Sequence, residues 1–111
     1  MEPLKDRKCV PCEGKTKPLT LHEAETYLLQ TPDWKLTETA SSISREFNFA
    51  NFVKAIEFVN QVADLAEYDD HHPDIHVFYS KVRLELSTHA LKGLSENDFI
   101  LAAKIDGILR F

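Results

Sequence analysis

The chain has 111 residues, 43% of them apolar and 28% charged, with three glycines, a length suited to one domain and a composition that excludes a disordered or fibrous chain. Its formal net charge of −5 comes without a basic run, which argues against a nucleic-acid surface, since phosphate binding relies on clustered Lys and Arg. No stretch approaches the roughly 18 to 20 apolar residues of a membrane span, and the N-terminus lacks an apolar signal region. The sequence therefore reads as soluble and cytoplasmic, with no direct nucleic-acid or membrane partner.

Residues 1–18 read as a flexible N-terminal arm and residues 19–111 as the folded domain, because MEPLKDRKCVPCEGKTKP carries Pro, Lys and Gly but no apolar period. Cys9 and Cys12 form a lone C-x-x-C in the arm. A structural zinc site would need a second ligand pair, and a redox pair would open a helix inside a βαβ unit. Neither setting is present, so the pair is read as part of the arm, with zinc or disulfide chemistry as alternatives.

The domain opens with a short helix. Thr20 and Glu23 have capping-box spacing, Leu21, Ala24, Tyr27 and Leu28 follow at helical intervals, and Pro32 stops it. Residues 34–37 and 42–49 read as a hairpin, with Ile43, Phe47 and Phe49 on one face together with Arg45. From Asn51 to Glu67, apolar residues recur at 52, 55, 56, 59, 62, 63 and 66, which predicts the central helix. Phe58 and Leu65 widen that stripe; a partner surface and a buried flank of the same core are both open readings.

Pro73 ends the helix before the adjacent histidines, because it lacks an N–H and drives His72 towards an extended conformation. A second hairpin follows, in which Val82, Leu84 and Leu86 alternate with Lys81, Arg83 and Glu85. Gly93 marks a turn, and Ser95, three residues before Asp98, caps a last apolar helix. The order α-β-β-α-β-β-α predicts an α+β fold: a four-stranded antiparallel sheet with helices packed on one face.

AEYDDHHPDIHVFY places His71, His72 and His76, three of the five histidines, beside several carboxylates. As a metal site it is poorly built: His72 and His76 have i, i+4 spacing, but Pro73 breaks any helix between them. Adjacent His71 and His72 in extended chain point to opposite sides. An acid/base site needs imidazoles, with a pKa of about 6.5, at the mouth of a pocket, and a helix end followed by a strand supplies such a mouth. The plain structural reading is a helix C-terminus closed by residues that the helix dipole favours when cationic. His22 and His76 stay outside the candidate set.

Glu67, three residues, then His71-His72-Pro73; Tyr79-x-Lys81-Val82; Ser87-Thr88-His89; and Gly93-Leu94-Ser95-x-x-Asp98 form an extended pattern. It closely resembles the pterin-4a-carbinolamine dehydratases, over about residues 19–109, so that residues 19–111 are read as a dehydratase-like domain. The chain departs from some members at Ile75 and His76, where they carry aromatic residues.

The resemblance implies a metal-free enzyme, with no cofactor, that converts 4a-hydroxytetrahydropterin to quinonoid dihydropterin and water. It implies a functional link to an aromatic amino acid hydroxylase in tetrahydrobiopterin recycling. His71 and His89 would be the acid/base pair and His72 would bind and position the pterin, with Glu67, Pro73, Ser87, Thr88 and Asp98 in support. Asp98 also reads as a simple helix cap, and Glu67 as a carboxylate orienting His71. A homodimer or homotetramer is implied as well. The alternative function is that of a dimerisation cofactor, a transcriptional coactivator-like role known among animal relatives.

Overall fold

In the structure, a computed structural model that describes residues 3–7 and 17–109, two antiparallel hairpins lie side by side. The first pairs β1 (Lys35–Leu36) with β2 (Ile43–Asn48), the second β3 (Asp74–Phe78) with β4 (Lys81–Leu86). Pairing of β2 with β4 gives the order β1-β2-β4-β3. Helices α1 (Leu21–Leu28), α2 (Phe52–Asp69) and α3 (Glu96–Ile108) complete the expected element order. Short 3-10 turns at Leu4–Asp6 and His89–Leu91 are additional. Cys9 and Cys12 lie outside the described residues. Among the described residues, no helix is long and apolar enough to cross a membrane.

Ile43 stands opposite Leu86, Arg45 opposite Leu84 and Phe47 opposite Val82. Directly opposed residues share a face, so this row looks towards the helices. Its apolar members form one core with Ala55, Phe58 and Val62 of α2 and Phe99, Leu101 and Ile105 of α3. Each buried Val, Leu, Ile or Phe side chain among them contributes roughly 1.5–3 kcal/mol. The alternate residues Ser44, Glu46, Lys81, Arg83 and Glu85 lie on the other, open face.

Arg45 is the charged member of the helix-facing row, and α3 accounts for it. Its guanidinium lies 4.5 Å from the centre of the Phe47 ring, and Nη1 donates to Asp106 Oδ1 at 2.5 Å. Trp34 Nε1 donates to the same oxygen at 2.9 Å. The buried tryptophan and the arginine thus tie the first hairpin to the last helix.

α2 buries Ala55, Phe58, Val62, Ala66 and Asp69. Phe58 therefore belongs to the core, tilted against Phe47 and Phe49 at 4.7 and 5.0 Å between ring centres. Phe52 and Ala63, which periodicity puts in the same stripe, are exposed. The buried row follows Phe58 because the two phenylalanines of the first hairpin stand against it. In α1, Ala24 is buried and Leu21 is exposed. The most enclosed helix is α3 rather than α2, with Asn97 to Ala102, Ile105 and Asp106 buried. α1, α2 and the turn at Leu4–Asp6 all pack on it, and Leu4 joins the core.

Gly93 is required for a close approach. A Cβ at that position would stand 2.7 Å from Pro18 Cβ, where Leu19 N–H donates to the Leu94 carbonyl at 2.8 Å. The left-handed residue of this turn is Lys92, with φ 54°.

Burial pushes the Asp106 carboxyl above its ordinary value, outweighing the hydrogen bonds from Trp34 and Arg45 that lower it. A raised carboxyl binds its proton more tightly in the folded than in the unfolded chain. Its contribution is full below the unfolded value, about 3.9, and declines as pH rises through the folded value. Relative to Asp106→Asn, the wild type is expected to lose stability as pH rises from about 4 towards neutral, read from urea midpoints at several pH values. A difference moving the other way would show that Arg45 outweighs burial.

Candidate active site

α2 ends at Asp69, and Asp70 takes the left-handed conformation at φ 51°, a region that Asp enters more readily than bulky residues. Asp70 N–H and His71 N–H both return to the Ala66 carbonyl. Pro73 then favours extended chain into β3. The two histidines emerge on opposite sides: the His71 side chain is 12% exposed and turns inward, the His72 side chain is 53% exposed and turns outward.

His71 Nε2 lies 2.6 Å from Asp98 Oδ1. Asp98 is wholly buried in the first turn of α3. Its other oxygen, Oδ2, accepts the Ser95 N–H at 3.0 Å and the Thr88 hydroxyl at 2.9 Å. The Thr88 and Ser95 hydroxyl oxygens are themselves 2.6 Å apart. Asp98 therefore caps the helix with one oxygen and holds the histidine with the other. A carboxylate only accepts, so the proton belongs on His71 Nε2, and a neutral ring presents the lone pair of Nδ1. The helix N-terminus is a favourable place for such an acid.

Thr88 joins this buried network to a cavity of about 310 Å³ whose lining includes Asp74, Glu85, Ser87, His89 and Lys92. His89 opens the 3-10 turn after β4 and is exposed. Glu67 Oε2 lies 2.5 Å from His72 Nε2 on the surface; this carboxylate orients His72, not His71. Pro73 is half-buried, and His22 and His76 are exposed on α1 and β3. A larger depression of about 580 Å³ lies on the open sheet face, lined by residues such as Lys35, Glu46 and Arg83 and by no histidine. Volume alone would select that surface; of the candidate acid/base pair, His89 lines the smaller cavity, and His71 is tied to it only through Asp98 and Thr88. Among the described residues, no three His, Cys, Asp or Glu side chains converge as a metal site.

Reading the motifs alone misses Asp74, Glu85 and Lys92 as lining residues and the Ser95 hydroxyl as a network member. The signal for the first two was the two-residue connection at Tyr79 and Ser80. It sets Phe78 opposite Lys81 and hence Asp74 opposite Glu85. The Ser95 to Thr88 contact follows from the isolated bridge between Thr88 and Gly93, which has no sequence signature.

Residues 17–108 match the pterin 4 alpha carbinolamine dehydratase family. The chain belongs to that family. A relative from Halorhodospira halophila, provisionally named a pterin-4-alpha-carbinolamine dehydratase, is 48% identical over 105 residues, covering 95% of this chain and 96% of its own. One from Nitrosomonas eutropha with the same provisional name is 50% identical, covering 96% and 93%. A crystal structure from Brucella melitensis, described as a transcriptional coactivator/pterin dehydratase, has a TM-score of 0.78 at 34% identity over 83% of this chain and 98% of that one. A pterin dehydratase-like protein identified as a RuBisCO assembly factor in the alpha-carboxysome shares the fold, with a TM-score of 0.61 at 22% identity, over 70% of this chain and 90% of that one.

In this pterin-dehydratase family member, Asp98→Ala removes the acceptor shared by the Ser95 N–H, the Thr88 hydroxyl and the His71 ring; the Thr88 hydroxyl still has Ser95 Oγ at 2.6 Å, and the other two are left unpaired. A buried donor left unpaired costs about 1–3 kcal/mol. Asp98→Ala is expected to lower the unfolding free energy in urea by at least about 2 kcal/mol, and Asp98→Asn, which keeps one accepting oxygen, by less. Equal losses would assign the cost to the His71 contact rather than to the cap.

Proposed function

We propose that the protein dehydrates 4a-hydroxytetrahydropterin to quinonoid dihydropterin and water by histidine acid/base catalysis. The observation that carries this reading is the His71 ring held against the buried Asp98, with Thr88 linking the pair to a cavity lined by His89. In the reaction, the N5 proton is removed, the N5 electrons form a double bond to C4a, and the C4a–O bond breaks as the hydroxyl receives a proton. Two imidazoles serve the two ends, and such help is worth roughly 10²- to 10⁴-fold. The chemistry requires no cofactor. In this reading His72, steadied by Glu67, binds and positions the pterin; Ser87 and Thr88 line its pocket, and Pro73 sets the direction of the chain.

The substrate is the pterin left by an aromatic amino acid hydroxylase, which places the protein in cytoplasmic tetrahydrobiopterin recycling. The proposal includes a homodimer or homotetramer. Its support is that β3 is an edge strand and that Val77, Phe78 and Tyr79, with Phe52 and Val53 of α2, are exposed apolar side chains. Sedimentation equilibrium is expected to give two or four chains, and Val53→Glu to reduce that number or leave it at two. A single chain at micromolar concentration would overturn the assembly.

The apolar surface of α2 also favours a second reading, an interaction protein of the dimerisation-cofactor kind. Stopped-flow absorbance of freshly generated 4a-hydroxytetrahydropterin separates the two. Wild type is expected to accelerate dehydration, and the His71→Ala, His89→Ala double variant to lose roughly 10²- to 10⁴-fold while staying folded. Folded wild type that adds nothing to the buffer rate would leave the interaction reading.

A further inference from the structure

α3 grips the end of α2 at a second place that the acid/base network does not use. Lys104 Nζ lies 2.7 Å from Asp69 Oδ2, with side chains 13% and 0% exposed. The Tyr68 ring stands over the ammonium, 5.8 Å from its centre. Asp69 Oδ1 is buried with no hydrogen-bond partner among the described residues.

As a contribution to stability this arrangement is poor. Burying two charges costs about as much as their attraction returns, and apolar replacements of similar volume are often as good or better. Asp69 is also the last residue of α2, where the helix dipole disfavours a carboxylate. One of its oxygens goes unsatisfied. What the pair does provide is position. It sits two residues before His71, next to the left-handed Asp70 that aims the histidine.

The two attachments to α3 are complementary. Asp98 and Lys104 stand six residues apart on one helix, so their anchor points differ by about 9 Å along the axis and about 120° around it. Apolar packing of α2 on α3 is non-directional and already limits its movement; a second, charge-assisted contact off to another side of α3 adds a directional restraint at the end of α2.

We propose that the Asp69–Lys104 ion pair is a positioning device that fixes the end of α2 against α3 and so holds His71 at its hydrogen-bonding distance from Asp98. Its catalytic consequence rests on His71 acting in dehydration; its structural part does not. Asp69 and Lys104 touch no substrate in this account and act through His71.

The test replaces the charges and keeps the volume. The Asp69→Leu, Lys104→Met double variant is expected to fold, with a urea midpoint equal to or above that of wild type, while kcat for 4a-hydroxytetrahydropterin falls roughly tenfold to a hundredfold and KM stays within about twofold. Wild type is expected to show a downfield proton resonance from the His71–Asp98 hydrogen bond by NMR, which broadens or vanishes in the double variant and survives in Lys104→Arg. A double variant with wild-type kcat, or with an undiminished resonance, overturns the proposal. Asp69→Asn provides the same two readouts with a smaller change if the double variant does not fold. Wild type without dehydratase activity would remove the proposed function, and the resonance alone would then decide the ion pair's role.

Discussion

A buried carboxylate has to find its donors inside the protein, and Asp98 finds them on three segments that are distant in sequence. Ser95 belongs to the start of α3, Thr88 to the chain leaving β4, and His71 to the reversal after α2. A cap that would ordinarily finish one helix becomes the junction of all three. The histidine is held by the same group that allows α3 to begin where it does, so the geometry of the site and the packing of the core cannot be set separately.

α3 carries a buried acid near each end, and the two illustrate opposite electrostatic situations. Asp98 sits in the first turn, where backbone N–H groups and the helix dipole favour negative charge. Asp106 sits in the last turns, where the dipole opposes it. The Arg45 guanidinium of β2 and the Trp34 indole N–H just before β1 offset this in part. The odd arginine in an otherwise apolar row of β2 is thus explained by the far end of a helix that follows it by more than half the chain.

Much of this architecture is readable in the residues. The alternation from Lys81 to Leu86 specifies a half-buried strand, the Thr20/Glu23 and Ser95/Asp98 spacings mark helix starts, and Pro73 marks the end of α2. The family pattern names the histidines. Pairing is another matter, because who holds whom depends on which way the chain turns. Glu67 reaches the outward His72 and leaves the inward His71 to Asp98, a choice made by the left-handed Asp70. Phe58 enters the core, and Phe52 stays out, because Phe47 and Phe49 lie against one and not the other. A helical period records which residues are apolar, not where the neighbouring aromatics stand.

The enclosure of α3 has a consequence for how the protein comes into being. α1, both hairpins and α2 all precede it in the chain, yet none of them can complete the histidine site, whose acid arrives with α3. Because domains generally fold as units, the hairpins and α2 cannot settle into this core, nor His71 find its acid, before α3 has been made. Assembly of the candidate site therefore waits on α3, and a chain cut before this helix would lack Phe99, Leu101 and Ile105 of the core and the Asp98 partner of His71.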